Sequence, residues 1–595
     1  MLAHQPRLAK ISELPDLDRE VCFFDTETTG LNYMTDRPFL LSLGVGPKNF
    51  HLRWTNDLAD WLNEQLPRAK MLVGFNEKFD MHMVLNGGVK PESLFAPPMF
   101  CGMLADSLSY EHHRSYSMEN AANRWSAELR SIGFEWAKVD IENDISRFFM
   151  IPKSTPNIKK YLHKLPIDLV LPYADRDLTL TRGLFKVLSR DLIRQNLTNI
   201  AKIEFECQKV LCRMERRGVP IDWDAQHRAW LEFNEIYAGL DDELTLMAGY
   251  RIKSVDSGQQ LTDAFRNLGL VIPDAFDKET LKALRHPFAE KILEIRSLKK
   301  IIQTFVHGAK KHAYKDAIHT HFNQLRGEDE YGVVTGRLSS SGPNMQQIPK
   351  RNGRWAKAVR MMFADKWRDW DSGDWSQFEY RIFAHCTGDR GVIERYRNDP
   401  KVDFHQTVAD IAGIPRQKAK SVNLGLVFGM GEGRMAKEMG LPYTTYTRNG
   451  KQMYQAGPDA QQIFTSYHQR IPGAKRFLSM SDAAAKKNGY VTTILGRRLR
   501  FPDGKTHKAG GLVFQGSAAD LMKKKLIEMD NALMNEKNGS ELILVVHDEF
   551  CCLSPRDDDG KTALIMKEIM EDVPELSIPV MADIGTGRDW WGASA

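Results

Sequence analysis

The chain has 595 residues, too many for one hydrophobic core, and at roughly 100–200 residues per domain its length predicts about four folding units. Its 42% hydrophobic and 27% charged residues exclude the disordered and fibrous classes and describe a soluble globular protein. A net charge of +5 names no polyanionic partner by itself, so such a site needs a local concentration of cations.

The longest clean apolar run, Leu542 to Val546, falls far short of the ~20 residues that cross a bilayer, which predicts no membrane span. Glu13, Asp16 and Asp18 follow the first residues without an apolar signal core, so a cytoplasmic protein is expected. Seven cysteines without a C-x-x-C pair predict neither a disulfide framework nor a zinc site.

In chain order, strand-like runs at Val21 to Phe24, Phe39 to Leu43 and Met71 to Phe75 alternate with amphipathic helical stretches, the pattern of an α/β domain. Helical periodicity dominates from about Leu192 to His312. Lys291, Arg296, Lys299, Lys300, Lys310, Lys311 and Lys315 there form either a polyanion-facing or a solvated helix face. A polar connection, Gly327 to Gly332, leads into loops and strands between Arg337 and Trp370. From Gln377 to Asn535 the pattern is again helical, with loops expected near Tyr443 to Gly457. Finally, Leu542 to Val546 and Phe550 to Leu553 flank His547-Asp548-Glu549, which predicts a hairpin with a carboxylate at its tip.

Two constellations carry chemistry. Behind Cys22-Phe23-Phe24 come Asp25 and Glu27, which the two-residue strand period points to one face. Asn76 and Asp80 follow another apolar run, and Tyr173 and Asp177 fall in a helical pattern, each pair one turn apart. Hard oxygen donors suit magnesium or manganese, and two such ions ~3.5–4 Å apart activate water and hold a leaving phosphate oxygen. Singly, each pair is a weak signal and reads more readily as chance or ordinary helix surface. Together and in this order they resemble the three motifs of the DEDDy 3′-5′ exonuclease superfamily. That resemblance implies Asp25, Glu27, Asp80 and Asp177 as metal ligands, with Tyr173 orienting the attacking water.

The second constellation joins Asp374, where a strand turns into a helix, to Asp548 on the hairpin tip. Between them, Pro415 opens a helical stretch in which Arg416, Lys420, Leu424 and Phe428 recur every four residues. One stripe thus offers two cations and then two apolar groups, a match for the phosphates and then the sugar and base of a nucleoside triphosphate. Phosphoryl transfer asks mainly for positioning and charge neutralisation, so two carboxylates gathering two divalent ions suffice.

Asp374 to Arg381, Arg416 to Gly429 and His547-Asp548-Glu549 resemble motifs A, B and C of family A DNA polymerases, the DNA polymerase I type. Thr335 to Ser340, Pro343 to Pro349, Arg213 to Ile221, Asp403-Phe404-His405 and Gln515 to Asp520 also fit, in the family's order. The resemblance implies an α/β multidomain chain: an RNase H-like exonuclease domain over 1–192, a thumb over 193–330, a palm with an antiparallel sheet from 331–376 and 536–595, and helical fingers over 377–535. It implies Asp374 and Asp548 as metal ligands, with Lys420 and Glu549 beside them as catalytic residues and two Mg2+ or Mn2+ ions in each active site. Arg416, Lys420, Leu424, Phe428, His405, Gln377 and Glu379 then bind the nucleotide, Glu379 as the gate against a 2′-hydroxyl. Arg337, Gln515, His547 and Arg381 contact DNA. Implied partners are primer–template DNA, deoxynucleoside triphosphates and replisome proteins such as a helicase and a single-strand-binding protein, around a monomer that uses no membrane and carries no 5′ nuclease. Leu424 and Phe428 depart from the family's usual aromatic ring and tyrosine. Leu424 supplies no hydroxyl beside the sugar, so dideoxynucleotides are expected to be poor substrates.

Overall fold

Alternate side chains of the first strand enter two different cores, and this sets the architecture of the amino-terminal region. A computed structural model describes residues 6–325, 334–349, 353–412, 414–448 and 451–594. The five strands β1 (Val21–Thr28), β2 (Pro38–Val45), β3 (Lys48–Arg53), β4 (Met71–Gly74) and β5 (Met99–Cys101) form one sheet in the order β3-β2-β1-β4-β5. β1 runs antiparallel to β2 and parallel to β4. Phe23 joins Val73, Phe100 and Leu184 on one side, whereas Cys22 and Phe24 join Leu41, Leu58 and Leu72 on the other. A sheet covered on both faces needs apolar residues at successive positions, which is why the run before Asp25 is continuous. Helices α1 (Glu77–Asn86), α2 (Ile167–Arg194) and α3 (Thr198–Arg217) complete the part that positions the site.

The helical middle contains α4 (Trp223–Ala248), capped by the Asp222 carboxylate on the amides of Asp224 and Ala225, packed against α5 (Pro287–Ile301). Of the seven cations expected to face a polyanion or solvent, three are held elsewhere. Lys291 pairs with Glu243 at 2.5 Å, Lys299 with Asp256 at 2.5 Å, and Arg296 donates to the carbonyls of Val255 and Phe276. The Gly327 to Gly332 connection lies outside the described residues.

Beyond it, β6 (Arg368–Trp375) runs through the centre of a second sheet, followed by α6 (Phe378–Thr387), α7 (Phe404–Ala412), α8 (Arg416–Val427) and α9 (Glu432–Met439). The region expected to be loops, Tyr443 to Gly457, is instead a hairpin of β7 (Tyr443–Arg448) and β8 (Lys451–Ala456). Its threonines and tyrosines are strand formers, but no apolar alternation announces them. After α10 (Pro458–Arg470) and α11 (Pro472–Asn488), β9 (Tyr490–Thr492) and β10 (Arg498–Arg500) lead into α12 (Ala509–Glu536), which packs on α3, α6 and α11. The expected tip hairpin forms as β11 (Glu541–Val546) and β12 (Glu549–Pro555). With β13 (Ala582–Gly587) the sheet reads β11-β12-β6-β13, antiparallel throughout. Its back is covered by α13 (Lys561–Glu571). Gly373 is required there, because a Cβ would come within 2.8 Å of Ile584 Cδ1 and Met570 Sδ. All seven cysteines are free, and among the described residues no helix is long and apolar enough to cross a membrane.

Candidate active sites

In the amino-terminal region, Asp25 and Glu27 leave β1 on the face that Phe23 shares with α2, and α2 delivers Tyr173 and Asp177 toward them. Asp80 reaches in from the first turn of α1 and accepts from the Thr26 amide at 3.1 Å and its hydroxyl at 2.6 Å. Burial pushes the Asp25 carboxyl well above the usual range, and the neighbouring charges of Asp80, Glu27 and Asp177 push it further. Glu27 is raised by burial and Asp177. Asp80 is raised to about 7 by burial, against the opposing Thr26 hydrogen bonds. Four carboxylates raised by burial, two of them further by their neighbours, call for positive charge.

Two cations missed by pattern reading supply part of it. Lys159 Nζ donates to the Tyr173 hydroxyl at 3.0 Å, and Arg176 Nε lies 2.9 Å from Asp177 Oδ1. That approach is misaligned for a hydrogen bond, so this buried oxygen keeps its acceptor capacity. A pocket of about 270 Å³ opens beside Lys159, Tyr173, Arg176 and Asp177. The donor set therefore fits a hard divalent cation, although among the described residues no three carboxylate, His or Cys side chains already stand as a closed cage.

The second site lies on the sheet around β6. Asp374 is exposed and sits in register with Glu549 on β12 and with Asp583 on β13, and directly opposed residues emerge on the same face. Asp548 follows in the β11–β12 turn, where His547 takes the left-handed φ of +60° that reverses the chain. Asp583, also exposed, escaped the sequence reading because nothing local marks its strand partner. Glu549 was expected to be catalytic, but its oxygens are occupied. Arg360 contacts both at 3.1 and 3.2 Å, while Ser372 Oγ and Trp590 Nε1 donate to Oε1 at 2.6 Å. It fastens the hairpin to β6 and to the stacked Trp370–Trp590 pair, and so is a positioning residue.

On α8, Arg416 and Lys420 are exposed one turn apart, and Asp403 holds Arg416 Nε at 2.5 Å. The helix ends at Val427, so Phe428 lies just past the expected stripe and packs against Gly511 and Phe514 of α12. The Leu424 side chain lies outside the described part of the structure. Gln377 makes the turn into α6 with φ +53° and donates to the Val402 carbonyl at 3.3 Å. Glu379 is ion-paired with Arg337, so two residues assigned separate roles touch each other. Gln515 is half-buried on α12.

Two of the expected contact residues are buried. Arg381 was read as a DNA contact, yet it is 0% exposed and donates to the carbonyls of Ser376, Pro579 and Pro400, so it ties the start of α6 to the sheet. His405 was read as a phosphate contact, yet it is 3% exposed. Burial pushes its ring down to about 4 and keeps it neutral, and Asn423 Nδ2 meets its Nδ1 at 3.1 Å. It braces α7 against α8.

A buried ion network joins the two regions. Glu204 of α3 receives Lys523 of α12 at 2.6 Å and the Arg497 guanidinium, which also donates to Asp520 at 2.7 Å. Arg497 packs in turn against Gly336, whose φ of +80° admits no side chain comfortably, and so sets the backbone that presents Arg337.

A sheet that presents aspartates and a helix that presents two cations suit nucleotidyl transfer. The family model for DNA polymerase family A matches residues 225–592. The chain is 32% identical to DNA polymerase DpoZ of Acinetobacter phage SH-Ab 15497, with 96% of this chain and 97% of that one covered. It is 31% identical to DNA polymerase DpoZ of Salmonella phage PMBT28, with 99% and 98% covered. The solved POL domain of Pol1 from M. smegmatis, in complex with DNA primer–template and dNTP, superposes with a TM-score of 0.76 at 23% identity, covering 97% of this chain and 96% of that one. The chain belongs to DNA polymerase family A and is a template-directed DNA polymerase.

Proposed function

We infer that the cleft around β6 extends a primer 3′ end with deoxynucleotides, and that the amino-terminal cluster is a 3′-5′ exonuclease that removes a mispaired terminus. In the polymerase site, Asp374 and Asp548 would hold divalent ions, which when bound offset the charge of the triphosphate and of the attacking oxygen. Arg416 and Lys420 clamp the phosphates as the primer 3′-oxygen bonds to the α-phosphorus and pyrophosphate departs, with Lys420 placed to protonate the leaving oxygen. Glu379, five residues beyond Asp374 and half-buried, would act as the gate against a 2′-hydroxyl.

The exonuclease reading is carried by one observation: Asp25, Glu27, Asp80 and Asp177 come from three separate elements, and burial raises all four while neighbouring carboxylates raise Asp25 and Glu27 further, around a single phenol. Those four carboxylates would hold the cations of this site. Tyr173, whose oxygen accepts from Lys159 and whose hydroxyl donates to the Asp177 carboxylate, would orient a water toward the terminal phosphodiester. The test is a primer with a mispaired 3′ nucleotide, incubated with magnesium and no triphosphates. The parent chain should release nucleoside monophosphate, and a chain carrying Asp25→Ala and Glu27→Ala should not. Equal release by both would remove the cluster from the reaction.

A further inference from the structure

The β7–β8 hairpin uses only one of its faces inside the protein. Directly opposed residues share a face, so Thr445 and Tyr454 point one way, while Tyr446 and Met453, with Thr444 and Gln455, point the other. The first face is docked on α9. Lys437 Nζ donates to the Tyr454 hydroxyl at 2.7 Å and lies 4.4 Å from the centre of its ring, and Tyr443 packs edge-on against Tyr454 at 5.5 Å. At Gly433 the helix approaches so closely that a Cβ would lie 1.9 Å from the Tyr454 carbonyl oxygen. The hairpin is therefore fixed on the helix that directly follows α8, the carrier of Arg416 and Lys420.

The second face is open. All six residues of β7 are exposed, and Tyr446 and Met453 are 46% and 39% exposed. Arg448 falls on the same face as Tyr446 and has no ion pair among the described residues, and Lys451 is its partner in register. Across residues 443–456 there are three tyrosines and two cations, with no aspartate or glutamate. A flat ring flanked by hydroxyls, amides and unopposed positive charge suits a flexible polyanion that carries aromatic faces, because bases stack and phosphates pair without regard to sequence. A protein partner would call for a larger apolar centre than one tyrosine and one methionine among threonines and glutamines provide.

We propose that this outward face binds single-stranded DNA, namely the unpaired template approaching the nucleotide site, with Tyr446 stacking a base and Arg448 meeting a phosphate. The test compares full-length chains on two primer–templates, one with about fifteen unpaired template nucleotides and one with a single unpaired nucleotide. Tyr446→Ala should weaken binding to the long overhang by roughly tenfold and leave the short one unchanged, while Tyr446→Phe should retain parent affinity because the stacking ring remains. Arg448→Gln should lower the salt dependence of long-overhang binding by about 0.7 in log–log slope, the value for one phosphate contact on a single strand. Tyr446 is exposed, so unchanged melting is expected and confirms that the comparison is made between folded chains. The proposal is overturned if both overhangs lose affinity equally, if neither variant affects the long one, or if the face proves to hold a protein while template affinity stays intact.

Discussion

The two acidic sites of this chain are built in opposite ways. The amino-terminal site gathers four carboxylates, Glu27 and Asp80 among the buried residues, where burial lifts all four, repulsion from neighbours lifts Asp25 and Glu27 further, and Lys159 and Arg176 sit beside them. The second site places Asp374 on the open face of a sheet and keeps its cations on a separate helix. A buried cluster suits a single strand end drawn into a pocket, whereas an open face admits a duplex and lets a helix close over a nucleotide. The difference teaches that an acidic site gathers its cations in either of two ways, beside buried carboxylates as with Lys159 and Arg176, or exposed on a separate helix as with Arg416 and Lys420.

The sharpest break of that comparison is Asp548→Ala. It should lower nucleotide incorporation by about a thousandfold or more, several kcal/mol of lost transition-state stabilisation, in single-turnover extension. Next comes the joint between the regions. Glu204→Gln leaves Lys523 and Arg497 without their shared carboxylate and should cost about 3–5 kcal/mol in denaturant unfolding at pH 7. Lys523 and Arg497 hold the Glu204 carboxyl down at about 2 despite its burial, so its contribution is complete above the unfolded value near 4.5 and is lost as the pH falls toward 2. The gap between parent and variant should therefore narrow below pH 4.5, with Asp520, raised by burial, present in both chains.

A smaller effect is expected at the gate. Glu379→Ala opens space beside the 2′ carbon and frees Arg337, and should shift the deoxy-to-ribo preference by roughly ten- to a hundredfold in steady-state competition. An unchanged ratio would move the gate elsewhere. Smallest is the clamp: Arg416→Ala should raise the nucleotide KM about tenfold, the worth of one charge-assisted contact, and Asp403→Asn should raise it less, since it removes only the group that aims Arg416.

What could be read in the sequence was whatever sits at the end of an apolar run. Asp25, Glu27 and the Asp548 tip announce themselves because a strand leads into each. Asp583 and Arg360 do not, because their partners lie more than 150 residues away and register is decided by tertiary pairing. Arg381 and His405 were placed at the surface because a local motif carries no information about burial. The three carbonyls that hold Arg381 come from separate segments, Ser376, Pro400 and Pro579. The β7–β8 hairpin was invisible for another reason: its outer face is polar and open, so no alternation exists to be seen.

The central claim is that one chain carries two independent sites for opposite reactions at a primer end. It is tested most directly on a single mispaired primer–template, by mixing equal amounts of the Asp548→Ala chain and the chain carrying Asp25→Ala with Glu27→Ala. The first alone should only shorten the primer and the second alone should extend the mispaired end poorly, while the mixture should shorten it and then extend it to full length. If the Asp548→Ala chain fails to release monophosphate, or if the mixture does no more than the second chain alone, the two activities are not divided between these two sites.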